Sequence, residues 1–149
     1  MASPNLGLLA ALLKTGRLTG VVRWKVNMTQ ESLKVEAQIA NYSCVYLDTS
    51  AATDLDQTIS SMGKQLEAPD LSQENLAGRL VHLGAKLKTE NTTSILMAWS
   101  GWQELVKNDL AGATFIIEIF EQTAAQWPGA ILVIDSKGDF PDLAVLTSA

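Results

Sequence analysis

Apolar and polar residues alternate in two neighbouring segments near the start of the chain. The apolar positions of the two segments are Val22, Trp24, Val26 and Met28, then Leu33, Val35, Ala37 and Ile39. A period of two on both sides of the short segment 29–32 predicts an antiparallel hairpin with one solvated face. In that register Lys25 lies opposite Glu36 on the solvated face. With residues 43–47 as a third strand, the pattern predicts an antiparallel three-stranded meander.

Helical spacing is found on both sides of this meander. Ser3-Pro4 is a typical helix start and Gly16 a typical helix end, so the spacing predicts an N-terminal helix. After Asp54 the apolar residues follow a period of 3.6, and Pro69 divides this region into two helices. The second of these begins at Asp70 in the prediction and has the apolar stripe Leu76, Leu80, Leu83 and Leu87.

Two later segments are apolar on both faces, which is typical of strands covered on both sides. They are residues 92–99 and 130–134, and between them we expect a short helix near Trp102 and a longer one over 113–127. Residues 143–146 are predicted to form a last edge strand beside Pro141. The order is helix, three strands, helix, helix, strand, helix, helix, strand. It predicts one α/β domain over residues 1–149, with an α+β arrangement as the alternative.

Composition supports a packed domain and shows an uneven distribution of charge. The chain has 149 residues, of which 47% are hydrophobic and 18% charged, and its net charge is −5. Residues 1–47 carry five basic and two acidic side chains, and the remainder six basic and fourteen acidic ones. This acidic balance argues against a nucleic-acid partner. This asymmetry is typical of two differently charged, solvated faces. The alternative interpretation is head-to-tail association of copies, the basic part of one against the acidic part of the next.

Several kinds of chemistry are excluded by residue counts and missing motifs. One cysteine, Cys44, allows no intrachain disulfide, and with one histidine, His82, the chain does not supply a zinc site. Neither a phosphate-binding glycine loop nor a nucleophile elbow occurs in the sequence. The chain begins without a basic leader and has no uncharged stretch of the roughly 20 residues that span a bilayer. We therefore expect a cytoplasmic protein without a membrane partner.

Three aspartates could form a carboxylate site at the carboxyl ends of the strands. Asp48 and Asp135 each follow an apolar strand segment, and Asp109 is placed to cap a helix beginning near Ala111. Carboxylates that converge at such an edge would hold Mg²⁺ or Mn²⁺, which can activate water for phosphodiester cleavage. The alternative interpretation is that these aspartates are ordinary turn and cap residues.

Short motifs around these aspartates resemble a PIN-like nuclease domain. The motifs are Tyr46-Leu47-Asp48-Thr49-Ser50, Asn108-Asp109-Leu110-Ala111, and Asp135 followed by Asp139-Phe140. The resemblance implies that Asp48, Asp109 and Asp135 are the catalytic metal ligands, with Glu74 or Glu90 as a further ligand.

Two hypotheses of function follow from the sequence. The first is a non-catalytic protein-interaction or assembly module that associates with itself as a homo-oligomer and needs no cofactor. It depends on the missing catalytic constellation, the four tryptophans, the charge asymmetry and the open edge of the predicted hairpin. The alternative is a metal-dependent, PIN-like phosphodiesterase that uses the aspartate cluster and Mg²⁺ or Mn²⁺.

Overall fold

The computed structural model describes residues 8–16, 19–24, 29–87, 94–126, 129–134 and 145–146. The strands are β1 (Gly20–Trp24), β2 (Tyr42–Asp48), β3 (Ser94–Ser100), β4 (Gly129–Ile134) and β5 (Val145–Leu146). The helices are α1 (Leu8–Lys14), α2 (Gln30–Ile39), α3 (Leu55–Gln65), α4 (Leu76–Leu87), α5 (Gln103–Asn108) and α6 (Leu110–Ala124). The strands form one sheet in the order β2-β3-β4-β1-β5, so the expected α/β class is confirmed.

The predicted antiparallel meander is wrong, because every strand pair in the sheet is parallel. Its second strand is the helix α2, which begins where the Thr29 Oγ1 atom accepts a hydrogen bond from the Ser32 N–H group at 3.1 Å. Leu33 and Ala37, one helical turn apart, are fully buried. The Lys25 side of the predicted Lys25–Glu36 pair lies outside the described residues, and Glu36 is buried rather than solvated.

The chain order explains why helices lie on both faces of the sheet. The connection from β1 to β2 runs towards one end of the sheet, whereas the path from β2 through β3 and β4 runs back. Since such connections are right-handed, the two directions place their helices on opposite faces. Accordingly α1 and α2 pack on one face with Leu96 and Ala98 of β3. Helices α3–α6 pack on the other face with Ile95, Met97 and Trp99.

The larger of the two cores contains three buried aromatic residues, Trp99, Trp102 and Phe120. Trp99 lies edge-on to Phe120 with ring centroids 5.2 Å apart, and its Nε1–H group donates a hydrogen bond to Thr49 Oγ1 at 2.9 Å. Trp102 packs beside Trp99. The prediction of a strand over residues 92–99 that is covered on both sides is confirmed for 94–99 in β3, which separates the two cores, and residues 92 and 93 lie outside the described ranges.

Some predicted helix boundaries hold and others shift. Asp54 and Asp109 cap α3 and α6 through their carboxylates, the second as the sequence predicts. Helix α4 begins at Leu76 rather than at Asp70, because the Asn75 side chain bonds to Ser72 N–H and to the Asp70 carbonyl and holds residues 70–75 as a turn. Within the described ranges no helix is long and apolar enough to cross a membrane.

Candidate interaction site at the outer edge of β2

Strand β2 is the end strand of the sheet, and its backbone groups alternate between its two sides. Its inner side pairs with β3 from Tyr42 opposite Ser94 to Asp48 opposite Ser100. The Thr49 N–H group continues this ladder by donating to the Ser100 carbonyl at 3.0 Å. In a parallel ladder the N–H and C=O groups of one residue point to the same side, and those of the next residue to the other side. Ser43, Val45 and Leu47 therefore face β3.

The outer side of β2 is closed at one position by a side chain. The Asp48 N–H group donates to Gln65 Oε1 at 2.9 Å, and Gln65 Nε2 donates to the Asp48 carbonyl at 2.8 Å. The amide of Gln65 thus reproduces the pair of bonds that a neighbouring strand would form. This contact also shows which backbone groups of β2 face outwards. The N–H and C=O groups of every second residue before Asp48 point to the same side as those of Asp48.

Three outward-facing residues remain open beyond this cap: Tyr42, Cys44 and Tyr46. In the part of the chain that the structure describes, their outward N–H and C=O groups have no hydrogen-bond partner. The strand Tyr-Ser-Cys-Val-Tyr-Leu-Asp contains no lysine, arginine or proline, the residues that usually protect an edge strand from pairing. We call the outward groups of Tyr42, Cys44 and Tyr46 the open edge.

The open edge lies along two adjoining clefts between α2 and the end of α3. The first, of about 770 Å³, lies between β2 and the Glu31, Lys34 and Val35 side of α2. The second, of about 340 Å³, continues from Lys34 past the β2 edge to the residues 65–67. Both clefts are lined by Lys34 and Cys44, so the two clefts adjoin at these residues. Together the clefts form an edge groove that leaves the backbone of β2 accessible.

The surroundings of the groove hold β2 in a fixed position. Asn41 has a φ of 64°, which reverses the chain within two residues of the end of α2. The Tyr42 hydroxyl donates to the Leu13 carbonyl at 3.1 Å, so the start of β2 is tied to the end of α1. Tyr42, Cys44 and Tyr46 pack against the core beneath α1 and α2. The open edge is therefore preorganised for pairing.

The chemistry of Cys44 agrees with a structural rather than a nucleophilic residue. Burial raises the pKa of its thiol from 9.0 to about 11, and nearby Lys34 only partly opposes that change. The thiol therefore stays protonated at neutral pH and behaves as a small, partly buried hydrophobic group.

Above the open edge, α2 exposes apolar side chains that a surface helix normally buries. Val35 is 47% exposed and Ile39 is 49% exposed, and Val35 lines the groove. The alternation that predicted a strand here comes from these two residues.

Two of the candidate metal ligands lie at the carboxyl edge of the sheet. Asp48 ends β2 and accepts the Ser50 N–H group at 2.9 Å through Oδ1. Asp109 accepts the Gly112 N–H group at 2.9 Å and the Leu55 N–H group, in the segment after β2, at 3.3 Å. Gly101 follows β3 with a φ of +74°, and a Cβ atom there would lie 2.5 Å from Asp48 Oδ1. Both carboxylates are thus occupied in holding turns and caps.

The third proposed ligand, Asp135, lies outside the described residues, as does Glu90. Glu74 is exposed beside a separate cleft next to Asp56. Among the described residues, no group of three His, Cys, Asp or Glu side chains is placed to hold one metal ion. The donor set for Mg²⁺ or Mn²⁺ is therefore incomplete in this part of the chain. His82 is exposed on α4.

A scan against protein-family models found no matching family, and a search of the curated proteins found no significant match.

Proposed function

We propose that this chain is a non-catalytic assembly module that binds a second copy of itself along the edge groove. The observation that carries the proposal is the open edge, with three outward-facing residues whose backbone groups lack partners in the described structure. Unpaired strand edges are templates for another strand, and proteins usually protect them with charged residues, proline or a covering loop. Among the residues that the structure describes, Gln65 protects β2 in this way at its Asp48 end only.

The side chains around the open edge also support binding of a protein surface. Val35 adds exposed apolar area to the groove, and Tyr42 and Tyr46 bring two aromatic residues to the same strand. Aromatic residues are enriched in the buried centres of protein interfaces. Lys34 and Glu31, of opposite charge, lie one helical turn apart on the groove side of α2. One surface therefore offers both charges that a copy of itself would need.

Light scattering over a series of protein and salt concentrations tests this function. We expect the mass to rise with concentration from 16.0 kDa to about twice that value and to stay there. Because backbone hydrogen bonds and apolar contacts are screened little by salt, the larger species should persist in high salt. A mass of 16.0 kDa at every protein concentration, in both low and high salt, would exclude the proposal.

A second candidate is the metal-dependent, PIN-like phosphodiesterase, which would use Asp48, Asp109 and Asp135 with Mg²⁺ or Mn²⁺. It is favoured by one observation: Asp109 accepts a hydrogen bond from Leu55, so it lies at the same sheet edge as Asp48. Thermal unfolding with and without Mn²⁺ separates the two functions. A carboxylate cluster relieved of its self-repulsion should gain several degrees in Tm, whereas an assembly module should show no shift.

A further inference from the structure

We infer that two copies pair antiparallel along β2, with Cys44 opposite Cys44 of the second copy, and so form one continuous ten-stranded sheet. This inference rests on the proposed self-association and specifies its geometry. It follows from the symmetry of a paired edge and from the positions of the three open residues.

Symmetry restricts how an edge strand can pair with itself. A closed dimer needs a two-fold axis, and a two-fold axis perpendicular to the sheet makes the two β2 strands antiparallel. Such an axis keeps each side chain on its own face of the sheet. Directly opposite residues in an antiparallel pair also share a face. A residue at the centre of the pairing must therefore lie opposite its own copy.

The open edge selects Cys44 as that central residue. Tyr42, Cys44 and Tyr46 all have outward-facing backbone groups, and Cys44 is the middle one. With Cys44 at the centre, Tyr42 of each copy lies opposite Tyr46 of the other. Each of the three open residues then belongs to a hydrogen-bonded pair. This gives about six hydrogen bonds, two for each of the three residue pairs.

A neighbouring register uses the edge less well. If Val45 were central, Tyr42 would lie opposite Asp48, whose outward groups are already bonded to Gln65. That arrangement would break the Gln65 contacts or leave Tyr42 unpaired. The Gln65 cap therefore acts as a stop that determines the register.

The side chains of the Cys44 register are also complementary. Tyr42 and Tyr46 lie on the α1 and α2 face, and aromatic cross-strand pairs stabilise antiparallel sheets. The same two-fold axis brings the two α2 helices side by side on this face. Lys34 and Glu31 line the same cleft as Cys44, the residue on the axis, so in this arrangement we expect Lys34 of each copy to pair with Glu31 of the other.

Oxidative cross-linking tests the register, because Cys44 is the only cysteine. Opposite residues of a hydrogen-bonded pair have Cα atoms about 5.5 Å apart, within the range of a disulfide. Copper–phenanthroline at alkaline pH, where the thiol ionises more readily, should convert the protein into a disulfide-linked dimer. The matched variant Cys44→Ser/Val45→Cys should stay uncross-linked, since Val45 then lies opposite Ser43.

A second readout does not depend on the thiol or on the variant. In a dimer mixed from isotope-labelled and unlabelled protein, the Cys44 register predicts an intermolecular NOE between the Hα atoms of Ser43 and Val45. These residues form the closer, non-hydrogen-bonded pairs. An NOE between the two Val45 Hα atoms would overturn this register. So would cross-linking of the Cys44→Ser/Val45→Cys variant under conditions that leave the wild type uncross-linked.

The outcomes separate the inference from the function on which it rests. A dimer in light scattering without the Ser43–Val45 NOE would contradict the register and leave self-association in place. A monomer throughout would contradict both. If the wild-type protein dimerised through a surface other than the open edge, or if the open edge bound an extended peptide and no second copy, Cys44 would stay uncross-linked. Either outcome would overturn the inference.

Discussion

The two sides of β2 have different surroundings, although the same seven residues supply both. On the inner side Ser43, Val45 and Leu47 face β3 in an uninterrupted parallel ladder. On the outer side Tyr42, Cys44 and Tyr46 face a groove, and within the described ranges only Asp48 is paired there, by the Gln65 side chain. The inner side therefore stabilises the monomer, and the outer side is available for association. Substitutions that remove equivalent groups from the two sides should give opposite results.

The largest difference is expected between proline substitutions at two adjacent residues. Val45→Pro removes an N–H group that faces β3 and should lower the free energy of unfolding by roughly 3 kcal/mol or more. Cys44→Pro removes an N–H group that faces outwards, where a ladder tolerates proline, and should cost about 1 kcal/mol. Urea unfolding measures both values. Equal losses would contradict the assigned orientation of β2.

The same pair of substitutions should differ in association. Cys44→Pro removes a donor from the centre of the proposed pairing, so light scattering should show a folded monomer at concentrations where the wild type is dimeric. A folded Cys44→Pro variant that still forms the wild-type dimer would contradict the open edge as the interface.

Truncation of side chains should also distinguish the two regions. Leu47 is fully buried in the larger core, so Leu47→Ala should lower the free energy of unfolding by about 2–5 kcal/mol. Val35 is 47% exposed, and Val35→Ala should change it by no more than about 0.5 kcal/mol. Chemical denaturation at a protein concentration that keeps the chain monomeric checks both values. A large loss for Val35→Ala would show that α2 is covered in the monomer.

The pH dependence of stability should report the burial of Cys44. The pKa of its thiol is about 11 in the folded chain against 9.0 for the free group, so the unfolded chain releases this proton first. The protonated thiol therefore contributes to the free energy of unfolding in full below pH 9. This contribution is lost as the pH rises towards 11, by about 2–3 kcal/mol at most. The difference in unfolding free energy between wild type and Cys44→Ala should shrink accordingly from pH 8 to 10.5. A constant difference would place the thiol in solvent.

The smallest difference between two paired variants is expected at the cap of the edge. Gln65→Ala removes both hydrogen bonds to Asp48 and should cost about 1 kcal/mol, whereas Gln38→Ala, at an exposed position of α2, should be nearly neutral. The variant also frees a fourth outward-facing residue. We therefore expect the Val45-centred register to become detectable by the Val45 Hα–Hα NOE in Gln65→Ala dimers.

The sequence pattern predicted the strand that is buried on both faces, and it gave a wrong prediction for α2, which is buried on one side and exposed on the other. The strand near residues 94–100 is apolar on both faces because helices cover both, and this pattern has one interpretation. In α2 the period-two pattern mixes two helical faces: Leu33 and Ala37 are buried, while Val35 and Ile39 are exposed. Thr29, which caps α2, is a residue type that indicates a helix start, but the exposed apolar residues produced the alternation that predicted a strand.

Glu36 shows why local patterns missed a long-range contact. Alternation placed it on a solvated face, yet it is fully buried and its Oε1 atom accepts the Ala10 N–H group of α1 at 2.9 Å. A buried carboxylate needs a hydrogen-bond donor, and the sequence around Glu36 does not indicate that α1 supplies one. The open edge depends in the same way on strand order, which is set by pairing between distant segments. Sequence suggested an open edge, but on a hairpin that does not form.

Amide hydrogen exchange along β2, measured by NMR at low and high protein concentration, shows whether two copies meet at the open edge. We expect the amides of Ser43, Val45 and Leu47 to be protected at both concentrations, because they bond to β3. The amides of Tyr42, Cys44 and Tyr46 should exchange rapidly in the monomer and become protected in the dimer. If these three amides exchange at the same rate at both concentrations, the open edge is not where the copies meet.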